Sequence, residues 1–124
     1  MFKKILLVDD SLSARMIIRQ YLEIVGCQGA VFTEVANGQM ALDALKEETF
    51  DLIVTDMNMP VMDGNEFLQR LKARPKYSGI PVIIVSSAAN KDNEQRFMKF
   101  GANYVIGKPV SPQLLHAAIS SLQD

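Results

Sequence analysis

Three uninterrupted apolar runs, Lys4–Val8, Leu52–Thr55 and residues 82–85, stop abruptly at polar residues: Asp9-Asp10-Ser11, Asp56 and Ser86-Ser87. A strand with one face in water alternates apolar and polar residues, whereas a run without alternation has both faces covered. Two further short runs, residues 31–36 and 104–106, complete a set of five. Helical spacing fills the intervals. Ala14, Ile17, Ile18, Tyr21, Leu22 and Val25 recur at the i, i+3, i+4 interval of one helix face, as do Ala41, Ala44 and Leu45, and then Phe67, Leu68 and Leu71. Residues 90–100 make a fourth helix, polar for two turns and apolar only at Phe97, Met98 and Phe100. Leu115, Ala118, Ile119 and Leu122 make a fifth, entered through Ser111-Pro112. Five strand–helix units predict a three-layer α/β fold, a parallel sheet with right-handed crossovers and helices on both faces.

The 124 residues suffice for one such domain and not for two, so residues 1–124 are expected to form a single domain. Thirteen basic and 14 acidic side chains give a net charge of −1, which leaves no basic footprint for nucleic acid or an anionic membrane. Lys3 and Lys4 precede only four apolar residues, too few for a signal peptide, and no stretch approaches a membrane span. A cytoplasmic location is expected. The single cysteine, Cys27, offers neither a disulfide nor a zinc pattern.

Open parallel sheets bind ligands beyond the carboxyl ends of their strands. A dinucleotide site would need a glycine-rich turn after the first strand, but two carboxylates stand there and would repel pyrophosphate. With the first and third strands adjacent, Asp9, Asp10 and Asp56 converge. Three clustered carboxylates raise one another's pKa unless a counter-charge is present, and an all-oxygen set with room for water suits Mg²⁺ better than Ca²⁺. The stretch beginning at Asp56 fails as a Ca²⁺ loop, because Pro60 and Val61 occupy its fifth and sixth positions, where an oxygen ligand and a glycine are required. The remaining strand ends bring Ser86 and Lys108. Taken singly, each residue has an ordinary explanation: acids cap helices, serines begin loops and lysines are solvated. Taken together, they suit phosphoryl transfer: a cation neutralises the phosphoryl oxygens, Asp56 attacks phosphorus as a carboxylate nucleophile, and Lys108 and Ser86 hold the product.

The pattern "ILLVDDS … LIVTDMNMPVMDG … IPVIIVSS … YVIGKPV" resembles the receiver domain of two-component response regulators over essentially the whole chain. The resemblance implies a flavodoxin-like (βα)5 domain with strand order 2-1-3-4-5. It places Asp56 on the phospho-acceptor, Asp10 and Asp56 on Mg²⁺ ligands with the backbone carbonyl of Asn58, and Asp9 on the acid that holds metal-bound water. Ser86 falls on the switch hydroxyl, Lys108 on the phosphate-binding lysine, and Lys108-Pro109 on a peptide that is cis in the family. The implied partners are a sensor histidine kinase or phosphotransfer protein and a downstream protein. The latter would dock on the face made by the fourth helix, fifth strand and last helix of a monomeric, stand-alone regulator without an effector domain, of the chemotaxis kind.

Two positions depart from the family pattern. The aromatic residue usual three places before the lysine is replaced by Val105, and Tyr104 stands one place earlier, which in a strand is the opposite face. Val110 replaces the phenylalanine usual after Lys-Pro and reads as packing. Asn58 and Ala88, which flank the attacking water in the family, imply a phosphate lifetime of seconds to minutes. A haloacid-dehalogenase-type hydrolase would need a second acid at position 58, where this chain has asparagine. A receiver-like module that works without phosphorylation has no need for the full acid, hydroxyl and lysine set. Other residues have plainer readings: His116 as a surface residue, Met57, Met59 and Met62 as filling beneath a loop, and Asn37-Gly38 and Asp63-Gly64 as helix entries without chemistry.

Overall fold

The computed structural model describes residues 2–87 and 89–123. Five strands, β1 (Lys4–Val8), β2 (Val31–Val35), β3 (Leu52–Thr55), β4 (Val82–Ser86) and β5 (Tyr104–Gly107), form one sheet in the order β2-β1-β3-β4-β5. Every pairing is parallel. The connecting helices are α1 (Leu12–Leu22), α2 (Gly38–Glu47), α3 (Gly64–Lys72), the single turn α4 (Pro75–Ser78), α5 (Lys91–Lys99) and α6 (Pro112–Gln123). The expected α/β architecture and strand order are both present. α4 was not anticipated, nor was the π-helical turn Glu23–Cys27 that extends α1 to Gly26, whose φ of 125° ends it. β4 and β5 each run one residue further than their apolar runs, so that Ser86 and Gly107 pair within the sheet.

Alternate residues of each strand enter separate cores, which explains the lack of polar alternation. Leu6, Val8, Ile53, Val82 and Ile84 pack with Ala41, Leu45, Phe67, Leu68, Leu71 and Phe97 on the α2–α3–α5 side. Ile5, Leu7, Leu52, Val54, Ile83, Val85 and Ile106 pack with Ile18, Leu22, Leu115, Ala118 and Ile119 on the α1–α6 side. Burying one such side chain contributes roughly 1.5–3 kcal/mol, so helices that bury three or four of them are firmly held. Apart from the single turn α4, and against two buried residues in α1 and three or four in α2, α3 and α6, α5 buries least. Phe97 is its one buried residue, and its polar opening turns are held by the Asn90 cap on the Asn93 N–H.

Candidate functional site

The carboxyl ends of β1, β3, β4 and β5 share one edge. Asp9 continues the ladder beyond β1 by donating its N–H to Val35 O (3.1 Å), and Asp56 does the same beyond β3 by donating to Val8 O (2.8 Å). The sheet thereby sets both acids at fixed height beside each other. Both are buried, at 2% and 7% exposure, while Asp10 is exposed. One oxygen from each of the three carboxylates lies within 4.8 Å of the other two.

Individual hydrogen bonds orient the carboxylates. Asp9 Oδ1 accepts the Ser11 N–H at 2.9 Å, and Asp56 Oδ1 accepts the Met57 N–H at 2.7 Å. The Asn58 N–H approaches the same oxygen at 3.4 Å. Lys108 Nζ donates to Asp9 Oδ2 (3.2 Å) and to Asp56 Oδ2 (3.1 Å), and so bridges two strand ends. Burial pulls the Lys108 pKa down, but the hydrogen bonds and negative charges of Asp56 and Asp9 outweigh it and leave the value raised. The side chain is therefore an ammonium throughout the neutral range. The Lys108–Pro109 peptide is cis, as in the family pattern. Ser86 is fully buried at the end of β4, and its carbonyl accepts the Lys108 N–H at 3.0 Å.

Gly38 and Gly64 are helix entries, as expected, and their packing adds a second role. A Cβ on Gly64 would lie 2.7 Å from Asp56 O and 2.6 Å from Met57 Sδ; one on Gly38 would lie 2.9 Å from Met62 Cγ. Their N–H groups donate to Met57 O (2.8 Å) and Met62 O (3.2 Å). Helices α2 and α3 thus clamp the loop that leaves Asp56, and side-chain-free entries are what permit the approach. Asn37 and Asp63 do cap these helices, as expected. Met57 and Met62 are buried and Met59 partly so, as gap-filling predicts.

Between Pro60 and Met62 the loop makes a three-residue turn closed by Met62 N–H to Pro60 O at 2.7 Å. At its centre Val61 has φ 69° and is 81% exposed. A β-branched residue with positive φ is strained by roughly 1–2 kcal/mol, and its exposed side chain gains little in return. Val61→Asn is expected to raise unfolding stability by about 1 kcal/mol in urea titrations, since asparagine tolerates this region; an unchanged midpoint would refute the strain.

The other sequence expectations divide. Tyr104 and Val105 do lie on opposite faces: Tyr104 packs toward α1 and α6, Val105 toward α5. Val110 is partly buried against the α1–α6 core. His116 is exposed and Cys27 is buried. Ala88 lies outside the described residues. Arg15 was missed altogether. One turn into α1, it donates to the Asp9 carbonyl oxygen and, through Nε, to Glu34 Oε1 at 3.2 Å. A cation one turn after an acidic pair was the available signal.

A doubly wound parallel sheet with an acidic, lysine-bridged site at its carboxyl edge defines the class. The family model of the response regulator receiver domain matches residues 5–120. A chemotaxis protein CheY homolog of Campylobacter jejuni is 37% identical over 113 residues, 90% of this chain and 85% of the relative. The structure of the chemotaxis response regulator CheY4 of Vibrio cholerae superposes with a TM-score of 0.82 at 29% identity, covering 99% and 98% of the two chains. The phosphorylated cyanobacterial phytochrome response regulator RcpA gives 0.80 at 27%, covering 99% and 92%. The chain belongs to the response regulator receiver domain family, the receivers of two-component signalling. No helix among the described residues is long and apolar enough to cross a membrane.

Proposed function

We propose that this receiver is a phospho-acceptor switch in which Asp56 takes a phosphoryl group from a histidine kinase, a phosphotransfer protein or a small acyl phosphate. The observation that carries the reading is Lys108 Nζ held between Asp9 and Asp56 beside a third carboxylate. Such a donor set fits a hard divalent cation, and Mg²⁺ would be held by Asp10, Asp56 and the Asn58 carbonyl, with Asp9 on metal-bound water. When bound, Mg²⁺ neutralises the phosphoryl oxygens. One Asp56 carboxylate oxygen forms the new O–P bond. The donor's P–O or P–N bond breaks, and its electron pair leaves with the carboxylate or imidazole. Lys108, already an ammonium, moves from pairing the free carboxylate to pairing the phosphoryl oxygens. The phosphorylated state of RcpA, which shares this fold, supports a covalent adduct.

The added phosphoryl carries roughly −1.5 to −2 charge at neutral pH. It draws the Ser86 hydroxyl toward it, and β4 passes the shift to α5, which has little buried surface to resist. Val105 is no aromatic switch, so the change runs through the backbone of β4 and α5. Met98, Tyr104 and Val105 line a groove of about 340 Å³ on the α5–β5 face, the place for a downstream protein to dock. If Ser86→Ala leaves the phospho-dependence of partner affinity intact, the relay through β4 is wrong.

Acetyl phosphate with Mg²⁺ tests the reading in one tube. A labile adduct of one phosphoryl group supports the switch. Sustained release of inorganic phosphate points to a hydrolase of the aspartate-nucleophile type, and no adduct points to an interaction module that works unphosphorylated.

A further inference from the structure

Asp9 is gripped at every polar atom. Its N–H is bound by Val35 O and its two carboxylate oxygens by the Ser11 N–H and Lys108. Its carbonyl oxygen is bound by Arg15. That carbonyl belongs to the peptide joining Asp9 to Asp10. A peptide is planar, so pinning its oxygen sets the orientation of the whole unit and the direction in which the Asp10 side chain leaves the backbone.

Arg15 is itself held. Its side chain is 13% exposed, and Nε donates to Glu34 Oε1 at 3.2 Å, while the other Glu34 oxygen lies 3.6 Å from Arg19. Glu34 sits on β2, next to the Val35 whose carbonyl takes the Asp9 N–H. The edge strand therefore reaches the first acid twice, once directly and once through a fork-shaped side chain. Guanidinium suits this role because one planar group can donate in two directions at fixed angles. It meets the acid cluster at a backbone carbonyl oxygen and not at a carboxylate, so what it sets directly is the orientation of that peptide.

We infer that Arg15 is a positioning residue. Anchored by Glu34, it holds the Asp9–Asp10 peptide in the orientation that lets the acids take a divalent cation together. The inference rests on the proposed Mg²⁺ site. Calorimetric Mg²⁺ titration separates the two. Wild type that binds no Mg²⁺ sinks the metal site and this inference with it; wild type that binds, with variants that bind equally well, sinks the inference alone.

Arg15→Met is expected to weaken Mg²⁺ binding about tenfold, the scale for removing a group that orients a metal ligand. Arg15→Lys, which keeps the charge and loses the fork, is expected to weaken it as well. Glu34→Gln keeps an acceptor for Nε and should bind within about twofold of wild type. Glu34→Ala should weaken binding, and adding it to Arg15→Met should cause no further loss, as a double-mutant cycle requires of a residue acting through another. Thermal melts confirm that each variant is folded. A purely electrostatic role predicts the reverse for Arg15→Met, tighter binding, with Arg15→Lys unchanged. That pattern, or full additivity of the two substitutions, overturns the proposal.

Discussion

Asp56→Asn is expected to fold normally and to take no phosphoryl group from acetyl phosphate and Mg²⁺, whereas wild type takes one. An amide lacks the carboxylate's nucleophilic oxygen, so the loss should be complete rather than graded. The fold should survive because the other bonds at this position do not need the charge. The backbone N–H still donates to Val8 O at 2.8 Å, and an asparagine Oδ1 can still accept the Met57 N–H now at 2.7 Å. Lys108 keeps Asp9 as its partner. Intact-mass spectrometry reads the adduct and a urea titration reads the fold. An adduct of unchanged stoichiometry on the asparagine variant would move the acceptor to another residue, with Asp9 and Asp10 the nearest.

Lys108→Met should lower stability by about 3 kcal/mol in chelator at neutral pH, the scale for stripping a cation from buried carboxylates. Asp9 and Asp56 are nearly inaccessible, with side chains 3% and 8% exposed, and Lys108 Nζ contacts both. Removing it leaves them beside Asp10 with their mutual repulsion unopposed. Mg²⁺ far above its Kd should restore most of the loss, since a cation that binds only the folded state stabilises it by an amount that rises with the logarithm of its concentration over Kd. The pH dependence follows from the raised pKa of the lysine. A group bound more tightly to its proton when folded contributes fully below its unfolded value, here the ordinary 10.5, and the contribution fades as pH rises through the higher folded value. The gap between wild type and Lys108→Met should therefore hold across the neutral range and close only in strong alkali. Equal denaturation midpoints for the two proteins in chelator would show that the bridge contributes nothing.

What could be read from the sequence was set by short-range rules. A two-residue period separates the faces of a strand, so the opposite placement of Tyr104 and Val105 followed from adjacent positions in one run. Uninterrupted apolar stretches announced a sheet covered twice, and the end of each stretch pointed to the edge where Asp9, Asp56 and Lys108 meet. Extent was harder. Ser86 ended its run chemically but not structurally, because strand pairing follows backbone register rather than side-chain polarity. Other features depend on separations of many residues. Nothing local says that Gly64 lies against the Asp56 carbonyl, or that Arg15 finds Glu34 on another strand. α4 was hidden because four residues are too few to display a period.

The clamp at Gly38 and Gly64 has a mechanical consequence. Two walls meet at Asp56 and differ in compliance. The loop from Met57 to Asp63 is braced by backbone contacts to two helices, one sunk into the core by Leu42 and Leu45 and the other by Phe67, Leu68 and Leu71. A push on that side would have to displace α2 and α3 as rigid bodies. The wall beyond β4 carries α5, tethered chiefly through Phe97. A displacement at Asp56, such as the proposed phosphorylation would bring, would thus be partitioned unequally, with the softer support yielding first. Under that proposal the response would be directional, with the stiff side acting as an abutment and the compliant side as the moving part.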